Sequence, residues 1–334
     1  MAWQGLSFKG LQNSEGSVIQ SDGAPALAGG AGQPQYELYQ VWKGSSGDTR
    51  MWFSTFDGTL WADQQSLPDP MRTDARPGAA YIAGKLWVVW KLAGGDSIYY
   101  STYSGGAGGA WTEQQQLSLP NYPVRTTDGP AIAGFNNLVY MMWKGSPDSG
   151  LYWTNYNPVT TQWLPQQQLP SSMQSTAGPG LASFSTPVQT STLCAAWKGS
   201  GDYYLYYSFL TSGGSTTWTT RQQMPTAILS DDGPGLVGMN STLYAAWVGH
   251  ANPGLTYTGY NYQTGDLGYI GGFPNGTGTP PVQEQLPLPL GSNFRPAVAA
   301  FSPVGAGQAL LVFAWKGNDT DHSLYWTTAT CSTL

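Results

Sequence analysis

Lys85-Leu-Trp-Val-Val-Trp-Lys91 is the stretch that decides the fold, because its plan recurs along the chain. Leu138-Val-Tyr-Met-Met-Trp-Lys144 and Leu311-Val-Phe-Ala-Trp-Lys-Gly317 repeat an apolar run that ends in Trp-Lys. The corresponding tryptophans are Trp42, Trp90, Trp143, Trp197, Trp247 and Trp315, and subtraction of neighbouring numbers gives spacings of 48, 53, 54, 50 and 68 residues. A period of about 50 residues indicates a repeat architecture.

The composition favours an all-β repeat protein. Only 10% of the 334 residues are charged, whereas 44 glycines, 24 prolines, 15 tryptophans and 20 tyrosines are present. Aromatic residues favour pleated, packed surfaces, and Gly and Pro favour turns. The net charge of −6 argues against nucleic acids and anionic membranes as partners.

The sequence also limits location and cofactors. No apolar run is long enough to span a membrane, and the start Met-Ala-Trp-Gln-Gly lacks the pattern of a secretory signal. We therefore expect a soluble protein, cytoplasmic or released by a non-classical route. Cys194 and Cys331 are isolated thiols without metal-ligand spacing, so we expect no disulfide framework, no metal and no cofactor.

Each repeat resolves into four short segments. In the second repeat they are Pro77-Gly-Ala-Ala-Tyr-Ile, the Lys85–Lys91 stretch, Ser97-Ile-Tyr-Tyr-Ser-Thr-Tyr103 and Trp111-Thr-Glu-Gln-Gln-Gln-Leu117. Segments of this length, rich in Tyr, Trp and Val and bounded by turn residues, indicate antiparallel strands. Four strands per repeat of about 40–55 residues indicate a propeller blade. The sequence therefore predicts an all-β, six-bladed β-propeller.

The chain ends predict how the ring closes. We expect one domain over residues 1–334, with repeats at about 22–73, 74–127, 128–176, 177–230, 231–292 and 293–334 plus 1–21. The last repeat lacks an outer strand of the W-x-x-Q-Q type, and Ala2-Trp3-Gln4 at the start resembles one. The sequence thus predicts that the N-terminal strand completes the last blade and that Trp3 lies in it, which removes an open sheet edge.

Polar residues recur where the second strand ends, the fourth strand ends and the next blade begins. Because strand direction alternates within a blade, these points lie on one rim of the ring, here called the lysine rim. The candidate binding residues on it are Lys43, Asp48, Gln64, Asp74, Arg76, Lys91, Asp96, Gln114, Asp128, Lys144, Asp148, Gln166, Lys198, Asp202, Gln222, Asp232, Arg295, Lys316 and Asp319, with Asp22 in the first blade.

These groups match the chemistry of sugars. Amides, carboxylates and ammonium groups pair with sugar hydroxyls, and nearby rings such as Trp52, Tyr99 and Trp153 stack on sugar C–H faces. Several weak copies around a ring bind tightly through multivalency. The alternative is structural: Lys and Asp within a short turn pair with each other, and Asp-Gly stretches are ordinary turn chemistry.

The repeat G-P-A-L-A, L-Y-x-A-W-K-G, L-Y-Y-S and W-x-x-Q-Q-x-L-P resembles the tandem-repeat β-propeller lectins of fungi and bacteria. The resemblance covers essentially the whole chain. It implies glycans or glycoproteins as partners, binding near the blade junctions, and no catalysis. The Arg/Glu/Trp pocket of fungal fucose-binding propellers is not repeated here, so fucose is not implied.

Two other functions stay open. Ser54-Thr-Phe-Asp57-Gly58-Thr-Leu-Trp61 loosely resembles the Asp-box of sialidases, which favours a glycoside hydrolase or sialidase-like enzyme. A sialidase needs converging arginines, however, and the chain has only Arg50, Arg72, Arg76, Arg125, Arg221 and Arg295. A propeller that binds other proteins is the third possibility.

The fifth repeat departs from the others. Trp247 is followed by Val248 instead of lysine, His250-Ala-Asn-Pro replaces the aspartate-containing turn, and an insertion covers Gly265 to Pro281. Because Val cannot supply a charged donor, we expect the pocket on this repeat to be empty or weaker.

Overall fold

A computed structural model describes residues 9–29, 38–106, 108–120, 122–185, 191–211, 217–239, 241–252, 254–261, 266–269, 284–286, 291–303 and 309–330. These segments form strands, turns and bends. Among them, no helix is present that has the length and apolarity to cross a membrane. The insertion predicted at Gly265 to Pro281 lies mostly outside the described residues.

The strands are short and follow the predicted four-segment plan. In chain order they are β1 Lys9–Gly10, β2 Ala26–Gly29, β3 Leu38–Lys43, β4 Met51–Phe56, β5 Gln65–Ser66, β6 Gly78–Ile82, β7 Lys85–Lys91, β8 Ile98–Tyr103, β9 Gln115–Gln116, β10 Ala131–Phe135, β11 Leu138–Lys144, β12 Leu151–Asn157, β13 Gln162–Trp163, β14 Gln167–Gln168, β15 Gly180–Phe184, β16 Thr192–Lys198, β17 Leu205–Thr211, β18 Gln222–Gln223, β19 Gly235–Met239, β20 Thr242–Val248, β21 Leu255–Asn261, β22 Asp266–Tyr269, β23 Glu284–Gln285, β24 Ala297–Phe301, β25 Leu310–Lys316 and β26 Leu324–Thr330.

These strands form six antiparallel sheets, each of which is one blade. The sheet orders are β2-β3-β4-β5, β6-β7-β8-β9, β10-β11-β12-β13, β15-β16-β17-β18, β19-β20-β21-β22 and β1-β26-β25-β24. In the third and fifth blades the outer edge is divided, because β14 and β23 pair with the same third strand as β13 and β22. The prediction of a six-bladed β-propeller is confirmed.

The ring closes through the N-terminal segment. The inner strands β2, β6, β10, β15, β19 and β24 contact one another in a closed circle. β1 pairs with β26, with Lys9 opposite Trp326 and Gly10 opposite Tyr325, so residues before the first blade complete the sixth, as predicted. Trp3 lies outside the described residues, and the pairing shown is made by Lys9–Gly10.

The hydrophobic core consists of six clusters, each between two adjacent blades. The recurring tryptophans are their largest members and are at most 1% exposed. Each comes next to last in its apolar second strand, where both sheet faces are covered by neighbouring blades. Burial of an aromatic ring of this size contributes several kcal/mol. The repeat that predicted the fold is therefore the repeat that builds the core.

Candidate functional site

The linkers that enter the blades share a buried hydroxyl, which the sequence reasoning missed. Six side chains, each four residues before a proline, have no solvent exposure: Ser21, Thr73, Thr126, Ser175, Ser230 and Ser292. In each, the hydroxyl donates to the carbonyl two residues on and accepts that residue's N–H, at 2.8 and 3.1 Å for Ser21 with Gly23. The six-fold Ser/Thr-x-x-x-Pro spacing was the available signal.

The lysine side chains of the lysine rim are buried or half-buried, and they hydrogen-bond within their own blades. Lys43 is 7% exposed and pairs with Asp22 at 2.9 Å, and Lys91 contacts Asp74 at 2.6 Å. In the next two blades Lys144 and Lys198 donate instead to threonine hydroxyls of the preceding linker, at 2.7 and 3.0 Å. Lysines therefore pair with linker carboxylates in the first two blades, and not with the aspartate of the turn that follows them.

Each loop aspartate of the first, third and fourth blades organises the turn between the second and third strands. In the third blade, Asp148 Oδ1 accepts the Gly150 N–H at 2.9 Å, and its Oδ2 accepts the Tyr152 hydroxyl at 2.9 Å. Asp202 and Asp48 repeat this arrangement with Tyr206 and Trp52 as side-chain donors. These carboxylates are engaged by their own loops.

The glycine that follows the Trp-Lys pair makes room for this aspartate. A Cβ added at Gly145 would collide with the Asp148 carboxylate. In the second blade the loop aspartate, Asp96, lies one residue closer to the third strand than in the other blades, and it is 3.6 Å from Arg125. In this blade Leu92 takes the place of the glycine. The sequence change at Leu92 thus follows from the change in the loop.

The sixth blade corrects one assignment. Asp321, and not Asp319, receives the Tyr325 hydroxyl at 2.8 Å and the Ser323 N–H at 3.0 Å. Asp319 instead accepts the side-chain amide of Asn293 at 3.0 Å. The sequence-based prediction named Asp319, the first aspartate of the loop. The aspartate that organises the turn is the one three residues before the third strand, which is Asp321.

Four of the predicted rim residues lie together between linkers, in a cluster that includes Arg76, Asp128, Asp232 and Arg295. Arg76 is 7% exposed and donates to both Asp232 oxygens at 3.0 and 3.2 Å. Asp128 lies 3.6 Å from Arg76, and Arg295 donates to the carbonyl of Pro179 at 2.7 Å. We call these four residues the axial cluster, since their contacts, including that to Pro179, bring together linkers of five blades.

A one-residue offset explains this placement. Asp22 and Asp74 come directly after the buried hydroxyl residue and meet lysines, whereas Asp128 and Asp232 come one residue later and meet arginines. Burial is the largest influence on the Asp128 carboxyl and raises its pKa, but the Arg76 charge and backbone N–H groups outweigh it and hold the pKa below its ordinary value. The axial cluster is therefore an internal, mutually neutralised group.

The cavities along the inner strands are small. One of about 70 Å³ is lined by Pro25, Pro77 and Arg295 among others. Another of about 160 Å³ is lined by Tyr81, Ser183 and further residues of the inner strands. Ligand sites for drug-sized molecules usually have about 300–1,000 Å³. These cavities are thus too small for such a ligand.

The predicted glutamines take different roles from those expected. Gln64, Gln114 and Gln166 are half-buried, and Gln222 is exposed. In the second blade the contact near the lysine rim is made by the third glutamine of Gln114-Gln-Gln116. Gln116 Oε1 accepts the Tyr99 hydroxyl at 3.3 Å. In this blade the sequence-based prediction selected Gln114, two residues before the glutamine that makes this contact.

Aromatic rings meet where adjacent blades touch at their outer edges. Trp61 of the first blade packs against Trp326 of the sixth with a centroid distance of 6.1 Å. The next junctions repeat the contact, with outer-strand tryptophans against third-strand rings at 5.3, 5.4 and 6.0 Å, in the pairs Phe53–Trp111, Tyr100–Trp163 and Trp153–Trp218. The indole N–H groups of Trp61, Trp111 and Trp218 are buried without a partner among the described residues.

The junction between the sixth and first blades contains a cleft of about 460 Å³, here called the outer cleft. Its walls include Trp61 and Trp326, and Lys9, Asn13 and Asp63 are among its polar residues. The Lys9 ammonium lies 5.5 Å from the Trp326 ring centroid, within the range of a cation–π contact. Hydrogen bonds from the Ser14 N–H and hydroxyl lower the pKa of Asp63, so this carboxylate is ionised at neutral pH.

Comparisons with known proteins identify similar folds. No protein-family model and no curated protein matches the chain. A triple arginine-to-alanine mutant of AofleA from Arthrobotrys oligospora has a TM-score of 0.63 at 9% identity, over 98% of this chain and 89% of that one. A protein of unknown function from Dyadobacter fermentans has 0.58 at 12% identity, over 97% and 99%. A neuraminidase-like protein of the strain A/little yellow-shouldered bat/Guatemala has 0.54 at 6% identity, over 94% and 98%.

At these identities the likeness is one of fold. It covers almost the whole chain in all three comparisons. The function must therefore be argued from the residues of this chain.

The pairing of Asp22 with Lys43 makes the free energy of unfolding depend on pH in the acidic range. Burial is the largest influence and opposes ionisation, but hydrogen bonds from Lys43 and from the Gly47 and Ser46 N–H groups lower the pKa of Asp22 to about 2. The unfolded value is about 3.9, so this contribution is complete above about pH 4 and is lost as the pH falls towards 2. We expect Asp22→Asn to lower the free energy of unfolding at neutral pH, and its difference from the wild type to shrink over that range.

Denaturant titrations at several pH values measure this difference. The exposed Glu15→Gln serves as the control and should unfold like the wild type throughout. A difference for Asp22→Asn that stays constant down to about pH 2 would contradict the assignment.

Proposed function

We propose that the protein binds glycans without catalysis, in clefts between the outer edges of adjacent blades. The observation that carries the proposal is the outer cleft, where two tryptophans and several polar side chains border a space of about 460 Å³. Binding sites commonly combine mostly apolar walls with a few convergent polar groups, and this volume is in their usual range.

The chemistry of the outer cleft suits a sugar. Aromatic faces stack on the C–H face of a pyranose, and Trp61 supplies a half-buried ring for this purpose. Lys9 supplies donors and the Asp63 carboxylate supplies acceptors. Asn13 offers its side-chain NH2 as a donor, because its Oδ1 already accepts the Glu15 and Ser17 N–H groups. Together these groups match a ligand with one apolar face and several hydroxyls.

The repeat supports several such sites. Trp111, Trp163 and Trp218 hold the same outer-strand place in the next three blades and contact the neighbouring blade. Weak sites arranged around a ring raise the affinity for a glycan-coated surface by orders of magnitude through multivalency. The proposed partners are therefore glycans or glycoproteins that present many copies of a sugar.

The residues of the lysine rim support a different role. Their ammonium and carboxylate groups are already bonded within the blades, as in the pairs Lys43–Asp22 and Lys91–Asp74. A sugar would have to displace these short charge-assisted bonds, which are stronger than neutral hydrogen bonds. That these residues bind sugars stays a prediction, and the outer cleft is the site we favour.

A binding role is favoured over glycoside hydrolysis. A general acid that works at neutral pH needs a raised carboxyl pKa. Where a carboxyl pKa in the described segments departs from its ordinary value, it is lowered, as for Asp22, Asp48, Asp57, Asp63, Asp74, Asp128 and Asp321.

A glycan array followed by titration calorimetry tests the function. We expect selective binding of at least one glycan and no turnover of it. Trp61→Ala should weaken binding in the outer cleft by about tenfold or more and lower the number of bound sugars per chain, because stacking on a large ring dominates such contacts. Asp63→Asn preserves the shape of the cleft and should weaken binding; a thermal unfolding measurement shows how much the loss of the charged acceptor for Ser14 affects stability.

Tyr122→Ala provides the matched control. Tyr122 is an aromatic residue with 63% exposure that does not line the outer cleft, so its removal should leave binding unchanged. Equal loss in Trp61→Ala and Tyr122→Ala, or binding to no glycan on the array, would overturn the proposal.

A further inference from the structure

In the five blades that have the repeated lysine, its ammonium group is bound within the blade. Lys144 donates to the Thr127 hydroxyl, the Gly145 carbonyl and the Asp148 carbonyl at 2.7, 3.2 and 3.2 Å. An ammonium group has three N–H donors, and these acceptors engage all of them.

Two further blades repeat the arrangement. Lys198 bonds to the Thr176 hydroxyl and to the carbonyls of Gly199 and Asp202 at 3.0, 3.5 and 2.8 Å. Lys316 bonds to three loop carbonyls at 3.1 to 3.2 Å. The acceptors are thus supplied by the linker, by the residue after the lysine and by the loop aspartate.

The fifth blade preserves this loop but lacks the lysine. Gly249 N–H bonds to the Gly254 carbonyl at 3.2 Å, and Asn252 Oδ1 accepts the Gly254 N–H at 3.1 Å, as the corresponding residues do in the third blade. Val248 stands where the others have lysine and is 3% exposed. The carbonyls of Gly249 and Asn252 therefore border a place that no ammonium of this blade reaches.

A cleft of about 380 Å³ lies at that place, here called the valine cleft. It is lined by Val248, Asn252, the linker residue Asn293 and two carboxylates, Asp231 and Asp319, and none of its lining residues is Lys or Arg. Asp231 corresponds in the linker to Asp22, which binds an ammonium in the first blade.

The side-chain carboxylates of the valine cleft are held in place by hydrogen bonds from groups other than Lys and Arg. Asp231 accepts His250 Nδ1 at 2.7 Å and the Ala251 N–H at 3.3 Å. His250 is itself stacked on Tyr203 at a centroid distance of 3.6 Å. Asp319 accepts the Asn293 amide at 3.0 Å. None of these contacts comes from Lys or Arg, so the two carboxylates remain available to pair with a cationic ligand.

We propose that the valine cleft binds a primary ammonium group of a ligand, at the position that the lysine ammonium occupies in the other blades. The ligand class is an amine-bearing molecule, either an amino sugar with a free amine or the side chain of a lysine in a partner. The proposal is opposite to the sequence-based prediction of a weaker site on this blade. It is independent of the outer cleft and of the proposed glycan binding there.

Methylammonium and glucosamine are the probes, with glucose and N-acetylglucosamine as matched ligands without an ammonium group. In NMR titrations we expect the two amines to shift the Val248 methyl signals and the Ala251 amide signal with one-site saturation. The two uncharged sugars should leave these signals in place. Equal shifts from glucose and glucosamine would overturn the proposal.

Val248→Lys supplies the missing ammonium from the chain itself and should weaken the binding of both amines by about tenfold or more. Val248→Thr retains the size and neutrality of the side chain and should still bind them. Asp231→Asn should weaken amine binding without filling the cleft, which provides a test if Val248→Lys does not fold. Unchanged amine affinity in Asp231→Asn and Val248→Lys would contradict the proposal.

Nα-acetyl-lysine methylamide distinguishes the two sources of the amine. Tighter binding of glucosamine assigns an amino sugar, and tighter binding of the lysine derivative assigns a protein partner; either outcome supports an ammonium site. The NMR signals of Val248 and Ala251 report only on the valine cleft. Loss of glycan-array binding after Trp61→Ala tests the outer cleft separately.

Discussion

Replacement of Arg76 by methionine should lower the free energy of unfolding by about 3–5 kcal/mol, because it removes the guanidinium that is hydrogen-bonded to the buried Asp232 carboxylate and lies close to Asp128. Arg76 bridges Asp232 and Asp128 and also donates to the Gly178 carbonyl at 2.8 Å, so it joins linkers of the third, fourth and fifth blades to its own. Methionine fills part of the volume, which limits the loss from packing.

Denaturant unfolding measures this effect, and Arg125→Met is the matched control. Arg125 has a side chain that is 56% exposed and lies 3.6 Å from Asp96, and such surface pairs contribute little. If Arg76→Met and Arg125→Met unfold alike, the axial cluster does not hold the linkers together. The double replacement Arg76→Met with Asp232→Asn should recover part of the loss, since it removes the unpaired charge.

Leu11→Ala should cost about 2–5 kcal/mol, the usual range for a buried leucine. Leu11 follows β1, is 1% exposed, and packs with Trp42, Phe56 and Trp326 at the junction of the first and sixth blades. Its N–H donates to the Leu324 carbonyl at 2.8 Å, so the same residue connects both ends of the chain.

The control for Leu11→Ala is Val18→Ala in the same segment. Val18 is 46% exposed, and its truncation should change stability by no more than about 0.5 kcal/mol. Equal and small effects of both variants in thermal or denaturant unfolding would mean that the N-terminal segment does not close the ring. Loss of cooperativity in Leu11→Ala would indicate that the sixth blade opens on its own.

The repeated tryptophans made the fold predictable. Trp143 and its counterparts predicted the period, and their burial between blades is the physical reason for that period. The missing outer strand of the last repeat predicted the role of the N-terminal segment. Composition and strand patterns were sufficient here, because every blade buries the same apolar second strand.

The site was less predictable, because it depends on offsets of one residue. Asp74 and Asp128 look alike in sequence, yet one meets a lysine and the other meets Arg76. The direction of a side chain in a linker follows from its distance to the buried hydroxyl, and the sequence shows this distance only once the Ser/Thr-x-x-x-Pro repeat has been recognised. Asp321 was missed for the same reason, since its distance to the third strand and not its order in the loop decides its contacts.

The clefts could not be predicted, because they form between residues far apart in sequence. Trp61 and Trp326 are neighbours only after the ring has closed, and Lys9 joins them from the N-terminal segment. The valine cleft exists because Val248 replaces the lysine of the other blades. Its walls include residues of the neighbouring linker, so it forms only when that linker is in place. The sequence repeat predicts the strands that all blades share, whereas each cleft is formed by residues of two adjacent blades.

A crystal structure of the protein with a glycan selected by the array tests the central claim most directly. The account predicts sugar density in the outer cleft, with a pyranose face against Trp61 and hydroxyls near Lys9 and Asp63, and further copies at the junctions of Trp111, Trp163 or Trp218. Density only over the lysines and aspartates of the lysine rim, or only along the inner strands, would contradict it.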